Sequence, residues 1–189
     1  MVLPEPPAHT AGGPTAPRSG DRGGIHHYAL VHHRFGPPET VSAIAAHDPT
    51  QPGLVGENLG VLTLRYAGGL QGVIINNWSY RGIRRQAHHR EEIVIQGSAG
   101  AITASSDEVE AATLQPAART YPALEGTWFP DAFGHSMVEF LSALSAGRPP
   151  LCHGRDNLRV VAVIEAAYHS IAEGGRAVRL DEVAGVAGG

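Results

Sequence analysis

Residues 59–66 alternate, with Leu62, Leu64 and Tyr66 on one parity and Val61, Thr63 and Arg65 on the other. A period of two predicts a strand with one buried face. Ala67-Gly68-Gly69 reads as a turn and 70–80 as the returning strand, giving an antiparallel hairpin. Residues 40–47 open on β-branched alternation and predict another strand. A second hairpin is expected where 92–96 and 101–103 flank Gly97-Ser98-Ala99-Gly100, with a further short strand near 111–114. Residues 26–35 are a short helix candidate, stopped by Gly36 and Pro37-Pro38.

Two longer helices follow the strands. Asp131 can cap the first, whose apolar stripe of Phe133, Met137, Phe140, Leu141 and Leu144 is expected in the core; Gly147 and Pro149 end it. Asp156 can cap the second, with Val161, Ile164, Tyr168 and Ile171 inward and Gly174-Gly175 as the stop. Residues 176–180 alternate again and should add a strand. Strands and then helices, without βαβ alternation, predict an α+β fold: an open, mostly antiparallel sheet with helices packed on one face.

Composition sets the limits of that domain. The chain has 189 residues, with 24 Gly and 14 Pro concentrated partly at the ends. Residues 1–23 read as a disordered Pro/Gly-rich leader, 24–181 as the folded domain and 182–189 as a flexible tail. The net charge is −4 and there is no basic run, so no nucleic-acid partner is implied. The sequence contains no lysine, which excludes Schiff-base and P-loop lysine chemistry within this chain. Cys152 is the sole cysteine, so no internal disulfide is possible, and a reducing compartment fits. No apolar run is long enough to span a bilayer. Pro4, Pro6, Pro7, Pro14 and Pro17 interrupt the region where a signal peptide needs a continuous apolar core. No membrane association is expected, and a cytoplasmic location is.

Histidines are the chief candidates for chemistry. The pairs His26-His27, His32-His33 and His88-His89 invite a metal reading, but helical ligand pairs sit three or four apart. His26 and His33 would stand roughly 10 Å apart along a helix axis, so no metal site is expected. Trp78, Tyr80, Arg81, Arg84 and Arg85 follow a strand and read as a substrate wall, an interface rim or a solvated strand end. Glu57, Glu91 and Glu92 read as strand-edge charges. No G-x-G-x-x-G or G-x-x-x-x-G-K pattern is present, so no dinucleotide or P-loop site is expected in this chain.

Several segments carry a family likeness: Gly24-Ile25-His26-His27 at the helix start, the Val41-Ser42-Ala43 strand, the two hairpins with Gly97-Ser98-Ala99-Gly100, and the final helix 165–174 before Val178. In order and spacing, over roughly 23–180, they resemble the C-terminal domain of the Gfo/Idh/MocA oxidoreductases (glucose–fructose oxidoreductase, inositol dehydrogenase). The resemblance implies a dihydrodipicolinate-reductase-like sheet domain that shapes a sugar or cyclitol site and makes homo-oligomers through its sheet face. It also implies an NAD- or NADP-binding Rossmann domain in a complete enzyme, in cis or as a separate subunit, with no cofactor held by this chain alone.

The family pairs a lysine from a Glu-Lys-Pro motif with an Asp-x-x-x-His pair, whose histidine corresponds to His26. Histidine suits the task because imidazole both takes and gives a proton near neutrality. Four residues before His26 stands Arg22, and Asp21 is one position earlier. The resemblance therefore assigns His26 and Asp21 as the catalytic candidates, and His27, Arg22, Trp128 and His135 as substrate contacts. His27, Trp128 and His135 keep a packing role as the other reading. The expected function is the substrate-binding and oligomerisation domain of an NAD(P)-dependent sugar or polyol oxidoreductase, inactive alone. The alternative is a free-standing carbohydrate-binding or self-association module, and the weakest is a lyase-like use of the histidine pocket without nicotinamide.

Overall fold

The computed structural model describes residues 24–50, 56–79, 91–105, 108–127 and 130–183. The chain forms two compact units, one of Met1–Ser79 with Arg155–Gly189 and one of Tyr80–Gly154. The architecture is α+β with antiparallel sheets, as the strand-then-helix pattern predicts, and the strands divide into two four-stranded sheets.

In the first unit, helix α1 (Ile25–Phe35) leads into β1 (Thr40–Ala46), β2 (Leu59–Arg65) and β3 (Gln71–Asn77). Helix α3 (Gly154–Ala172) returns the chain to β8 (Val178–Arg179), and the sheet order is β3-β2-β1-β8. Pairing places Val41 opposite Leu64, and Leu62 between Ala43 and Ile74. One parity thus faces inward as a continuous apolar surface, which Tyr28 of α1 and Val160, Val163, Ile164 and Ala167 of α3 cover. Each large side chain removed from water there contributes about 1.5–3 kcal/mol.

The buried stripe of α3 is offset from the expected one. Ile164 is buried as predicted, with Tyr168 and Ile171 partly so, but Val161 is exposed and Val160 and Val163 take the core. Ala166, Ala167 and Ser170 are also buried; small side chains let the helix backbone approach the sheet, and that rotates the buried face. Asp156 lies inside the first turn rather than at the cap, because the helix starts at Gly154. Gly174 stops it as expected: its φ of 69° suits a residue without Cβ, and the Gly175 N–H returns to the Ser170 carbonyl at 2.8 Å. Fully buried Asn58 pins the β1–β2 connection: its carbonyl oxygen accepts the Asp48 N–H at 2.7 Å and its amide donates to the Asp48 carbonyl at 2.9 Å.

The outer parity of this sheet is apolar and open. Ile44, Val61 and Ile75 align in one register row, with Val73 in the next. Ile44, Val73 and Ile75 are 62%, 63% and 66% exposed.

The second unit holds the meander β4 (Glu92–Gly97), β5 (Gly100–Ser105), β6 (Val109–Leu114) and β7 (Ala117–Thr120), followed by α2 (Asp131–Ser145). Strand β7 was not expected. Its Ala-Ala-Arg-Thr sequence lacks apolar alternation, and pairing with β6 makes the strand, with Ala112 opposite Arg119. The α2 stripe corrects an expectation: Phe133 and Met137 are 61% and 58% exposed, Phe140, Leu141 and Leu144 are exposed too, and only Ala143 is buried. Periodicity marks which helix face is apolar; burial requires an opposing surface, which the helix pattern does not encode. Asp131 is the first helical residue rather than the cap, a position Pro130 holds. Its carboxylate accepts the Thr127 N–H at 2.6 Å and hydroxyl at 2.8 Å, bonds that hold its pKa below the usual carboxylate value.

Candidate functional site

The first turn of α1 presents the candidate histidine. Gly24 begins the described chain, His26 is exposed at the second helical position, and His27 is half-buried beside it. The helix carries no acidic residue in its first turn, and Gly36 closes it with its N–H on the His32 carbonyl at 2.8 Å. Asp21, Arg22 and Trp128 lie outside the described residues, as do Tyr80, Arg81, Arg84, Arg85, His88, His89 and Phe129. His135 stands exposed on α2, in the second unit, and Trp78 is exposed just after β3.

A polar cluster whose pairings the sequence did not reveal joins residues of α1, β3 and α3. The Asn76 side-chain amide on β3 donates to the Tyr28 hydroxyl at 3.1 Å, in buried surroundings. The Tyr168 hydroxyl on α3 donates to Glu57 Oε1 at 2.6 Å. Glu57 is thus more than the strand-edge charge expected of it. All four residues line one shallow recess open to solvent, with Gly60 and Ala167 among its other walls. Burial, aided by the negative charge of Glu57, pushes the Tyr28 phenol up to about 12 although the Asn76 bond opposes this. Tyr28 is therefore a neutral hydroxyl at any ordinary pH. The signal in the sequence was slight: tyrosines at inward helical positions need a polar partner for their hydroxyls, but helical periodicity does not name it.

Further along α1, His32 is held below its ordinary pKa, chiefly by burial. Nearby Asp156 opposes that shift, and Arg159 reinforces it. Among the described residues no group of three His, Cys, Asp or Glu side chains is placed to hold a metal ion. A dinucleotide needs a glycine-rich turn between a parallel strand and a helix. Every strand pair among the described residues is antiparallel, so these residues do not fit that cofactor by themselves. No described helix is long and apolar enough to cross a membrane.

An antiparallel sheet covered on one face by two helices defines an α+β sheet domain. The sequence profile of the oxidoreductase family's C-terminal alpha/beta domain (Gfo/Idh/MocA) matches residues 19–180, and the chain belongs to that family. Among solved structures it is similar to an Agrobacterium radiobacter oxidoreductase in complex with NAD+, L-tartaric acid and magnesium. That likeness has 21% identity and a TM-score of 0.72, covering 86% of this chain and 49% of that one. It is similar to an aldose–aldose oxidoreductase from Caulobacter crescentus complexed with glycerol, at 21% identity and a TM-score of 0.69, over 85% of this chain and 47% of that one. An oxidoreductase from Thermotoga maritima aligns at 22% identity and a TM-score of 0.67, over 86% and 44%. The chain spans about half the length of these solved relatives. A search of curated protein sequences finds no match.

Proposed function

We propose that this chain is the substrate-binding and self-associating part of an NAD(P)-dependent oxidoreductase acting on a CH–OH group of a sugar or polyol, and that turnover requires a nucleotide-binding domain. The observation that carries this reading is the exposed His26 at the head of α1 in a chain whose residues 19–180 match the oxidoreductase C-terminal domain. His26 exchanges the proton of the reacting hydroxyl, a role worth typically ~10²–10⁴-fold in rate. Asp21 orients it, and His27 and Arg22 contact the substrate's other hydroxyls. NAD+ with a hydroxy acid in one relative and glycerol in another support this substrate class. The open apolar sheet face supports self-association.

The test is a pair of NMR titrations of the isotope-labelled chain, one with NADH and one with a polyol panel that includes glycerol and myo-inositol. Saturable shifts at His26 and His27 with a polyol, lost in His26→Ala, are expected, with no saturable response to NADH. Saturable NADH binding by this chain, or no response at the α1 head to any polyol, would overturn the reading. The exposed sheet face also favours a second reading, a non-catalytic self-association module. On that reading the chain oligomerises, and adding a nucleotide-binding domain of the family yields no dehydrogenase activity.

A further inference from the structure

Gly24, Tyr28 and Asn76 meet at one point beneath the first turn of α1. A Cβ on Gly24 would lie 2.8 Å from Asn76 Nδ2 and 3.0 and 3.1 Å from two carbons of the Tyr28 ring. The backbone that begins the helix therefore rests directly on the Asn76 amide and the tyrosine ring. Asn76 in turn donates to the Tyr28 hydroxyl at 3.1 Å. Gly24 and Tyr28 bracket His26 and His27, and they are one helical turn apart, so both touch the same spot on β3.

Gly24, the residue before Ile25, offers no side-chain cap to this end of the helix. The sheet supplies an anchor through Asn76 and Tyr28. Asn76 is 8% exposed and sits at the end of β3, opposite Gly60 of the central strand β2. Its position is set by the ladder and does not depend on the helix.

We propose that Asn76 is a positioning residue: through Tyr28 and the bare Cα of Gly24 it fixes the first turn of α1, and with it the place of His26. The functional consequence rests on the reading of His26 as the acid–base group; the positioning itself does not. Asn76 and Tyr28 touch neither the reacting hydroxyl nor the cofactor in this scheme. They act through the helix.

The experiment uses the labelled full chain and three variants, Asn76→Ala, Tyr28→Phe and Gly24→Ala. Order parameters and ring shifts of His26 and His27 are read against backbone order at Leu62 and Leu64. In wild type the first turn is expected near the rigid value of about 0.85, falling below about 0.6 in Asn76→Ala and Tyr28→Phe while Leu62 and Leu64 stay rigid. Combining the two substitutions should add nothing further, because both remove one bond. Gly24→Ala should move the His26 and His27 signals while leaving the sheet unchanged. Tyr28→Phe deletes a single oxygen, so it keeps the test alive if Asn76→Ala does not fold. Unchanged order and shifts at His26 in Tyr28→Phe would overturn the proposal. A wild-type chain that binds no polyol would sink the acid–base reading alone, since the order parameters need no ligand. If polyol does bind, Asn76→Ala is expected to weaken it at least ~10-fold, because the ligand must then order the first turn that Asn76 holds in place.

Discussion

The Ala43 N–H in the middle of β1 donates to the Ser170 hydroxyl on α3 at 2.8 Å, joining residues 127 positions apart. Strand β8 pairs with β1 only at Thr40 and Val41, so the strand edge beyond them needs another acceptor, and Ser170 supplies it. The same hydroxyl donates to the Arg176 carbonyl at 2.6 Å. One fully buried oxygen thus ties helix, strand and the turn that leads into β8.

Ser170→Ala should therefore cost about 1–3 kcal/mol, since it leaves a buried N–H and a carbonyl without this partner. The urea midpoint of the first unit's unfolding measures it. A midpoint equal to wild type would show that water or a shifted backbone replaces the hydroxyl.

His32 makes the first unit acid-sensitive in a defined window. Its pKa is lowered in the folded chain, chiefly by burial, so the unfolded chain binds the proton more readily. Stability then rises with pH between the folded value and the unfolded value of about 6.5. It is fully present above that range and lost as pH falls through it. Thermal melts between pH 5 and 7.5 should show this slope in wild type and a flatter one in His32→Gln. A His32 ring that titrates at or above the unfolded value would contradict the assignment.

Glu139 clasps the end of α2. Its two oxygens accept from the Arg148 guanidinium at 2.8 Å each, and Oε1 also accepts the Leu151 N–H at 3.1 Å. The Arg148 bonds first, then the Leu151 amide, pull its carboxyl down to about 2. A depressed carboxylate contributes stability above its unfolded pKa and loses it as pH falls through the folded one. A carbon-detected titration should find Glu139 ionised until about pH 2, and Arg148→Gln should move its midpoint up toward the ordinary glutamate range. An ordinary midpoint in wild type would mean that the clasp does not persist in solution.

The outer face of the first sheet is expected to pair with another copy of this chain. Val73→Arg and Ile75→Arg place a charge in the centre of that apolar surface and should convert an oligomer to monomer in analytical ultracentrifugation, with the fold intact by circular dichroism. A monomeric wild type at micromolar concentration would remove the sheet face from the oligomerisation proposal.

Much of the local structure was legible in residue order. The Leu62-Leu64-Tyr66 alternation, the Ala67-Gly68-Gly69 turn and the Gly97-Ser98-Ala99-Gly100 hairpin are covalent-neighbour patterns, and each became the element it predicts. The helix that opens beside His26 was likewise visible, because Gly36 and Pro37-Pro38 stop a candidate run over 26–35 and α1 spans Ile25–Phe35. Strand β7 escaped because its residues carry no alternation of their own and gain their conformation from β6.

What residue order determined by itself was conformation at the scale of a turn or a hairpin, where backbone preference and apolar period act on neighbours. Only the tertiary structure decided that Asn76 reaches Tyr28, that Tyr168 reaches Glu57 and that Val160 rather than Val161 enters the core. Those pairings join residues 48 and 111 positions apart. They follow from sheet register and from how closely a helix with Ala166, Ala167 and Ser170 on its inner face approaches the sheet. A polar side chain on a buried face announces only that it needs a partner; the packing of the other elements chooses which one.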